Sequence, residues 1–122
     1  MAHILVVDDD DFLITLLVQM LENDGHKVST AVDGIQALKL LEHKRVDLIM
    51  TDILMPHMDG VEFILALSKS NNSAPVIAMS GGRRSITSEF NLESARLLGV
   101  QATLTKPFSH ADLRKALSKV LK

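Results

Sequence analysis

The sequence predicts a single α/β domain built on a parallel sheet with helices on both faces. Two observations predict this class. Short β-branched apolar runs alternate with longer amphipathic stretches along the chain, and strand–helix units in succession form parallel sheets covered by their own helices. The length of 122 residues and the 47% hydrophobic composition fit one globular domain over 1–122 with a core of its own.

The first strand–helix unit has the clearest pattern. The run "HILVV" at 3–7 is apolar almost throughout, as is typical of a strand buried on both faces. A helix is predicted at 11–25 because apolar residues recur there at helical spacing, and Gly25 is expected to end it. The apolar positions form two rows: Phe12, Leu16 and Met20, and Leu13, Leu17 and Leu21.

The second unit has a weaker strand, "HKVSTAV" at 26–32, followed by a helix at 33–44. Asp33 and Gly34 form the turn that begins this helix. The helix carries three apolar residues on one side: Ile35, Leu38 and Leu41.

The rest of the chain continues the alternation. Strands are predicted at 46–51, 75–80 and 102–105. Helices are predicted at 59–70, 88–99 and 109–121. Ser109 is a suitable N-cap for the last helix because its hydroxyl can accept a hydrogen bond from a free backbone N–H.

Composition excludes several function classes. The net charge is −2 and Arg83–Arg84 is the longest basic block, so we expect no nucleic-acid partner. The chain has no cysteine, which excludes a disulfide framework and a thiolate metal site and fits a cytoplasmic location. The apolar run at the N-terminus is too short to cross a bilayer, so no membrane partner is expected.

Polar side chains follow four of the five predicted strands. Asp8 and Asp9 follow the first strand, Asp52 the third, Ser80 ends the fourth and Lys106 follows the fifth. Open parallel sheets bind ligands beyond the carboxyl ends of their strands. Three carboxylates brought together there repel one another unless a cation intervenes, and Mg²⁺ suits a site with few carboxylates and several waters.

A metal ion and a lysine around a carboxylate also suit phosphoryl transfer, in which the negative charge on the phosphoryl oxygens must be neutralised. A carboxylate can itself be the nucleophile and become an aspartyl phosphate. Asp10 and Asp11 complete the run "DDDD" but fall at the start of a helix, where carboxylates cap free N–H groups. They are therefore expected to take no part in the chemistry.

Four motifs, in order, resemble the receiver domain of bacterial two-component response regulators, of the single-domain kind found in chemotaxis regulators. They are "ILVVDDDD", "DLIMTDILMPHMDG", "PVIAMSGG" and "TLTKPF". The resemblance covers the whole chain. It implies a flavodoxin-like (βα)5 three-layer sandwich with the parallel strands in the order 2-1-3-4-5.

The resemblance also implies roles for the residues at the strand ends. Asp52 matches the phosphoacceptor. Asp8 and Asp9 match the acidic pair that binds Mg²⁺, of which Asp9 is the more direct ligand, and the backbone carbonyl of Leu54 completes the metal ligands. Ser80 matches the hydroxyl residue that turns toward the phosphoryl group.

Lys106 matches the lysine that pairs with the phosphoryl oxygens, and the Lys106–Pro107 bond is expected to be cis. The implied phosphodonor is a sensor histidine kinase or a phosphotransfer protein. The implied target is a protein that binds the face formed by the helix at 88–99, the strand at 102–105 and the helix at 109–121, with the chain a monomer or a weak dimer.

One position departs from the family pattern. Receiver domains usually carry Tyr or Phe three residues before the lysine, and this chain has Thr103 there. A switch that depends on an aromatic side chain is therefore in question.

Two other functions stay open at this point. The first is a Mg²⁺-dependent phosphohydrolase that uses the same aspartyl-phosphate chemistry, and the second is a degenerate receiver that acts as a constitutive docking module. The sequence also leaves open whether the chain acts alone, passes phosphate to a histidine domain, or is part of a longer protein.

Overall fold

The computed structural model describes residues 2–53, 60–70, 74–81 and 99–121. Five strands lie in this part of the chain: β1 (His3–Val7), β2 (Lys27–Ala31), β3 (Leu48–Asp52), β4 (Val76–Gly81) and β5 (Ala102–Lys106). The helices described are α1 (Asp11–Asn23), α2 (Gly34–Leu41), α3 (Gly60–Lys69) and α4 (His110–Val120). The helix predicted at 88–99 falls almost wholly outside the described residues.

The five strands form one parallel sheet in the order β2-β1-β3-β4-β5, as predicted. The register aligns the ends of the strands: Val7 pairs with Thr51, Asp52 with Met79, and Gly81 with Lys106. The carboxyl ends of β1, β3, β4 and β5 therefore meet at one edge of the sheet.

Each face of the sheet carries a buried apolar layer. In β1, Leu5 and Val7 point to one face and Ile4 and Val6 to the other, and all four are fully buried. Helices α2 and α3 cover the first face, with Ala37, Phe63, Ile64 and Leu67. Helices α1 and α4 cover the second, with Leu17, Leu21, Leu113, Ala116 and Leu117. This arrangement confirms the predicted three-layer fold and explains why β1 is apolar at successive positions.

The predicted N-terminal caps of the helices are confirmed. Asp10, Asp33 and Ser109 are the N-caps of α1, α2 and α4, and each side chain accepts hydrogen bonds from backbone N–H groups. At the end of α1 the N–H of His26 donates to the Leu21 carbonyl and the N–H of Gly25 to the Glu22 carbonyl. Gly25 has a φ of +90°, which this C-terminal turn requires.

The apolar row of α1 that begins with Phe12 does not face the core throughout. Phe12 is 79% exposed and Leu16 is 39% exposed, whereas Leu17 and Leu21 are fully buried. Each step of four residues turns a position by about 40° around a helix. Met20 therefore comes round to the core while Phe12, two steps earlier, points to solvent.

A similar correction applies to α2. Ile35 is 42% exposed, although Leu38 and Leu41 pack against the core as predicted. The buried side of this helix is centred on Ala37, and a separation of two residues corresponds to about 200° of rotation. Ile35 thus lies almost opposite the buried side.

Several predicted elements are longer than those observed, and the largest differences are at α1, α2 and β3. Helix α1 ends at Asn23 rather than residue 25. Helix α2 ends at Leu41 rather than residue 44, and β3 begins at Leu48 rather than residue 46. No helix among the described residues is long and apolar enough to cross a membrane.

Candidate functional site

The predicted site residues meet at the carboxyl edge of the sheet. Asp8 directly follows β1, Asp52 is the last residue of β3, and Ser80 and Lys106 lie at the ends of β4 and β5. Asp8 and Ser80 are fully buried and Asp52 is 7% exposed. Burying a polar or charged side chain is unfavourable unless it has a hydrogen-bond partner or an opposite charge nearby.

Three carboxylates form the acidic part of the site. One oxygen from each of Asp8, Asp9 and Asp52 lies within 4.8 Å of the others. Asp9 is exposed, whereas the other two carboxylates are buried. Carboxylates this close repel one another unless positive charge is present.

Lys106 supplies part of that positive charge. Its Nζ donates a 2.7 Å hydrogen bond to Oδ2 of Asp8 and lies 3.5 Å from Oδ2 of Asp52. Burial by itself lowers the pKa of Lys106, but the hydrogen bond to Asp8 and the negative charges of Asp52 and Asp8 outweigh this effect and raise the pKa above its usual value. The side chain is therefore a charged ammonium at neutral pH. The Lys106–Pro107 peptide bond is cis, as expected.

The run of four aspartates divides in two. Asp8 faces the site, and its Oδ1 accepts a 2.9 Å hydrogen bond from the N–H of Asp10. The carboxylate of Asp10 accepts instead from the N–H groups of Phe12 and Leu13, so it caps α1. Asp11 is the first residue of α1. The predicted capping role is thus confirmed for Asp10.

Ser80 has an unusual environment. Its Oγ is fully buried and makes no hydrogen bond within the described part of the chain. A buried hydroxyl without a partner is unfavourable by about 1–3 kcal/mol. In the sheet Ser80 comes directly after Met79, the partner of Asp52, and it pairs with Thr105, the residue before Lys106. Its hydroxyl can therefore donate to a polar group that enters the site.

Two further positions were singled out in the sequence, Leu54 and Thr103. Leu54, whose carbonyl is the remaining expected metal ligand, lies outside the described residues. Thr103 lies in β5, where it pairs with Ala78 and is half-buried. Its place in the sheet is thus clear, and its part in switching stays a prediction.

The hydrogen bond between Lys106 and Asp8 is the feature of the site that sequence reasoning missed. The sequence assigned Lys106 to phosphoryl oxygens and Asp8 to the metal. The two residues are 98 positions apart, and the motifs place each one at a strand end without indicating which carboxylate the ammonium approaches.

Comparison with curated proteins shows similarity to response regulators over nearly the whole of this chain. The chain is 34% identical over 119 residues to the alkaline phosphatase synthesis transcriptional regulatory protein PhoP of Bacillus subtilis, covering 98% of this chain and 48% of that protein. It is 35% identical over 122 residues to the transcriptional regulatory protein CpxR of Escherichia coli, covering 100% of this chain and 50% of that protein. The chain thus spans about half the length of these relatives.

Solved structures give the same result. The chemotaxis response regulator CheY4 of Vibrio cholerae superposes with a TM-score of 0.87 at 32% identity, with 99% of both chains covered. The receiver domain of a sensor histidine kinase from Pseudomonas aeruginosa, which has a magnesium ion in its active-site cleft, superposes with a TM-score of 0.85 at 29% identity, covering 98% of this chain and 96% of that one.

The family of response regulator receiver domains matches residues 4–118. This match includes every strand end that forms the site. Together with the sheet order and the acidic cluster, it shows that the chain belongs to the response regulator receiver domain family of two-component signalling.

Proposed function

We propose that the protein is a phosphorylation-activated switch in which Asp52 accepts a phosphoryl group in an Mg²⁺-dependent reaction. The phosphodonor is a phosphohistidine on a sensor histidine kinase or a phosphotransfer protein. One observation carries the proposal: the Asp52 carboxylate lies 3.5 Å from an ammonium and within 4.8 Å of oxygens of Asp8 and Asp9. A nucleophile, a fixed cation and oxygen ligands for a metal therefore share one site.

The residues present fit Mg²⁺. The ion prefers oxygen ligands and usually binds through one or two carboxylates together with water. Asp8, Asp9 and Asp52 would hold it, with Asp9 the more direct ligand of the acidic pair and the carbonyl of Leu54 as a further ligand. The buried hydroxyl of Ser80 makes no hydrogen bond within the described residues, which supports a site that binds a polar ligand. When bound, the ion supplies positive charge that neutralises the phosphoryl oxygens and the acidic residues.

The chain's own residues account for the transfer. An oxygen of Asp52 forms a bond to phosphorus while the bond from phosphorus to the donor imidazole breaks, and the imidazole leaves with the electron pair. The ammonium of Lys106 neutralises negative charge on the moving phosphoryl group, since fixed charge in a buried site needs no reorganisation. The Ser80 hydroxyl donates to a phosphoryl oxygen in the product.

The response is a shift between two conformations that changes binding to a target protein. The proposed binding surface is the face formed by the helix predicted at 88–99, β5 and α4. We place the protein in the cytoplasm, where the kinase domain delivers phosphate, as a monomer or a weak dimer.

The proposal is tested by incubation with acetyl phosphate and Mg²⁺ followed by intact-mass measurement. The wild type should gain the mass of one phosphoryl group, and Asp52→Asn should gain none. Asp11→Asn is the matched control, because it removes an exposed carboxylate from the same run of aspartates outside the proposed site. Labelling of Asp52→Asn, or none of the wild type, would disprove the assignment of Asp52.

Asp9→Ala should abolish Mg²⁺-dependent labelling. Sustained release of phosphate from small phosphate esters would favour the phosphohydrolase instead. Failure to bind either Mg²⁺ or beryllofluoride would favour the docking module.

A further inference from the structure

An open cavity lies at the amino edge of the sheet, the edge at which the strands begin. Its volume is about 690 Å³, which is the size of pockets that bind small organic ligands. Val46, two residues before β3, and Ala74, two residues before β4, line it together with the ends of α2 and α3. Asp52 is the last residue of β3, so the cavity and the acidic site lie at opposite edges of the sheet.

One wall of the cavity is apolar. Val46 and Leu67 are buried in the core layer between the sheet and helices α2 and α3, and Leu38 and Leu41 of α2 pack against that layer while remaining partly exposed. A ligand in the cavity would cover these partly exposed leucines. Removal of apolar surface from water favours binding, so the ligand should itself have an apolar part.

The segment that follows α2 brings positive charge to the same cavity. Lys44 and Arg45 line it and are exposed, and neither forms an ion pair in the described part of the chain. Glu42 is the one acidic residue among the described residues that line the cavity. The carboxylate of Asp47, close by in sequence, already accepts a 2.8 Å hydrogen bond from the N–H of His3. The cavity therefore has an excess of positive charge.

The backbone adds hydrogen-bond donors beside these cations. The N–H groups of His43 and Lys44 both donate to the Leu40 carbonyl, whereas those of Arg45 and Val46 donate to no backbone carbonyl in the described part of the chain. The N–H groups of buried residues are nearly always paired, and Val46 is 7% exposed. An acceptor that enters the cavity would therefore find both N–H donors and positive charge.

We propose that this cavity binds a small organic carboxylate with an apolar body, of the kind that a medium-chain fatty acid provides. The carboxylate lies at Lys44 and Arg45, since a guanidinium binds a carboxylate through two parallel hydrogen bonds. The apolar body lies against the leucines of α2 and α3. A purely polar anion would leave the apolar wall uncovered, and an uncharged apolar molecule would leave the two cations without a partner.

The first test is a calorimetric titration with decanoate below the concentration at which it forms micelles. Calorimetry suits a chain without Trp or Tyr. Shorter carboxylates should bind more weakly, by about threefold to fourfold for each CH₂ group removed. Decanol, which has the same chain without the charge, should bind on the order of tenfold more weakly than decanoate. Absence of decanoate binding, or equal binding of decanol, would overturn the proposal.

The second test removes the cations. Arg45→Gln and Lys44→Gln should each weaken decanoate binding by roughly fivefold to tenfold, because each removes a charged donor from the carboxylate. Lys27→Gln is the matched control: Lys27 is an exposed lysine at the start of β2, at the same edge of the sheet but outside the lining of the cavity. Equal weakening by all three variants would show an effect of net charge alone and would overturn the proposal.

The third test locates the ligand. In ¹H–¹⁵N spectra decanoate should shift the amide signals of Val46 and Leu67. Shifts centred instead on Phe12 and Leu16, the exposed apolar side chains of α1, would overturn the proposal. So would binding of the protein to vesicles of anionic phospholipid without binding of free decanoate.

The inference does not depend on the proposed function, because the described residues that line the cavity include none of the acidic site. Asp52→Asn should therefore bind decanoate as the wild type does. A wild type that binds decanoate but is not labelled at Asp52 would contradict the proposed function alone, and a wild type that is labelled but binds no decanoate would contradict this inference alone.

Discussion

Arg114 of α4 forms an ion pair with Asp24, the residue that directly follows the last residue of α1. The Nη2 of Arg114 donates to Oδ1 at 3.0 Å and its Nε to Oδ2 at 3.2 Å, and Nε2 of His110 lies 2.9 Å from Oδ2. A carboxylate at the C-terminus of a helix is electrostatically unfavourable by itself. The two side chains of α4 compensate for it and join the two helices that cover the same face of the sheet.

The first prediction is a pH-dependent contribution of Asp24 to stability. Its hydrogen bonds to Arg114 and then His110 lower the pKa of Asp24 from the usual 3.8 to about 2. The folded state therefore favours the ionised carboxylate, and the stabilisation is complete above the usual pKa and lost as the pH falls toward about 2. Urea unfolding should show Asp24→Asn less stable than the wild type at pH 7, with the difference shrinking between pH 4 and 2.

Asp11→Asn is the control for this experiment, since Asp11 is an exposed carboxylate in the first turn of the same helix. A difference between Asp24→Asn and the wild type that persisted undiminished at pH 2 would contradict the assigned cause.

The second prediction concerns the buried pair formed by Lys106 and Asp8. Lys106→Met leaves the Asp8 carboxylate without its counter-charge and should lower the free energy of unfolding by about 2 kcal/mol, because an unpaired buried charge is costly. Addition of Asp8→Asn should restore part of this loss, since it removes the unpaired charge. Chemical unfolding in EDTA measures both. A double variant less stable than Lys106→Met would argue against this pairing.

The third prediction concerns Asp10, which is expected to affect the stability of the fold and not the phosphorylation of Asp52. Asp10→Ala removes the N-cap of α1 and should lower the free energy of unfolding by about 1 kcal/mol. Asp10→Ser keeps a capping oxygen and should retain most of the stability. Both variants should still be labelled at Asp52, since Asp10 caps α1 and is not part of the cluster formed by Asp8, Asp9 and Asp52. Loss of labelling in Asp10→Ser would place this carboxylate in the chemistry.

The sheet could be predicted because each strand is indicated by residues that are neighbours in the sequence. Strands β1, β3 and β4 are short, mainly apolar runs, and the residues after Val7, Thr51 and Met79 are polar at the places where the register aligns the strand ends. The caps Asp10, Asp33 and Ser109 were predictable for the same reason, because capping depends on a side chain and the N–H groups two or three residues away. The strand order came from the family resemblance.

The errors have a geometric cause. Phe12 and Ile35 belong to helical rows of apolar residues, but a row drifts around the helix, and which part of it faces the sheet depends on how the helix docks. The contact of Lys106 with Asp8 depends on side-chain positions across the whole sheet. Motifs indicate which residues reach the site, whereas the pairing among them depends on side-chain positions, which place the ammonium 2.7 Å from Asp8 and 3.5 Å from Asp52.

The last prediction compares two buried hydroxyl groups, those of Thr51 and Ser80, which lie near the ends of neighbouring strands. Oγ1 of Thr51 donates to the backbone carbonyl of Asp52 at 3.0 Å, whereas Oγ of Ser80 makes no hydrogen bond within the described residues. Thr51→Val should therefore lower the free energy of unfolding by about 1 kcal/mol, and Ser80→Ala should leave it unchanged or raise it by up to about 1 kcal/mol. Urea unfolding of both variants at neutral pH measures the contrast. Ser80→Ala should at the same time reduce the yield or lifetime of phosphorylated Asp52, because the phosphoryl group loses a donor. A Ser80→Ala protein as destabilised as Thr51→Val would show that the hydroxyl serves the fold rather than the phosphorylated site.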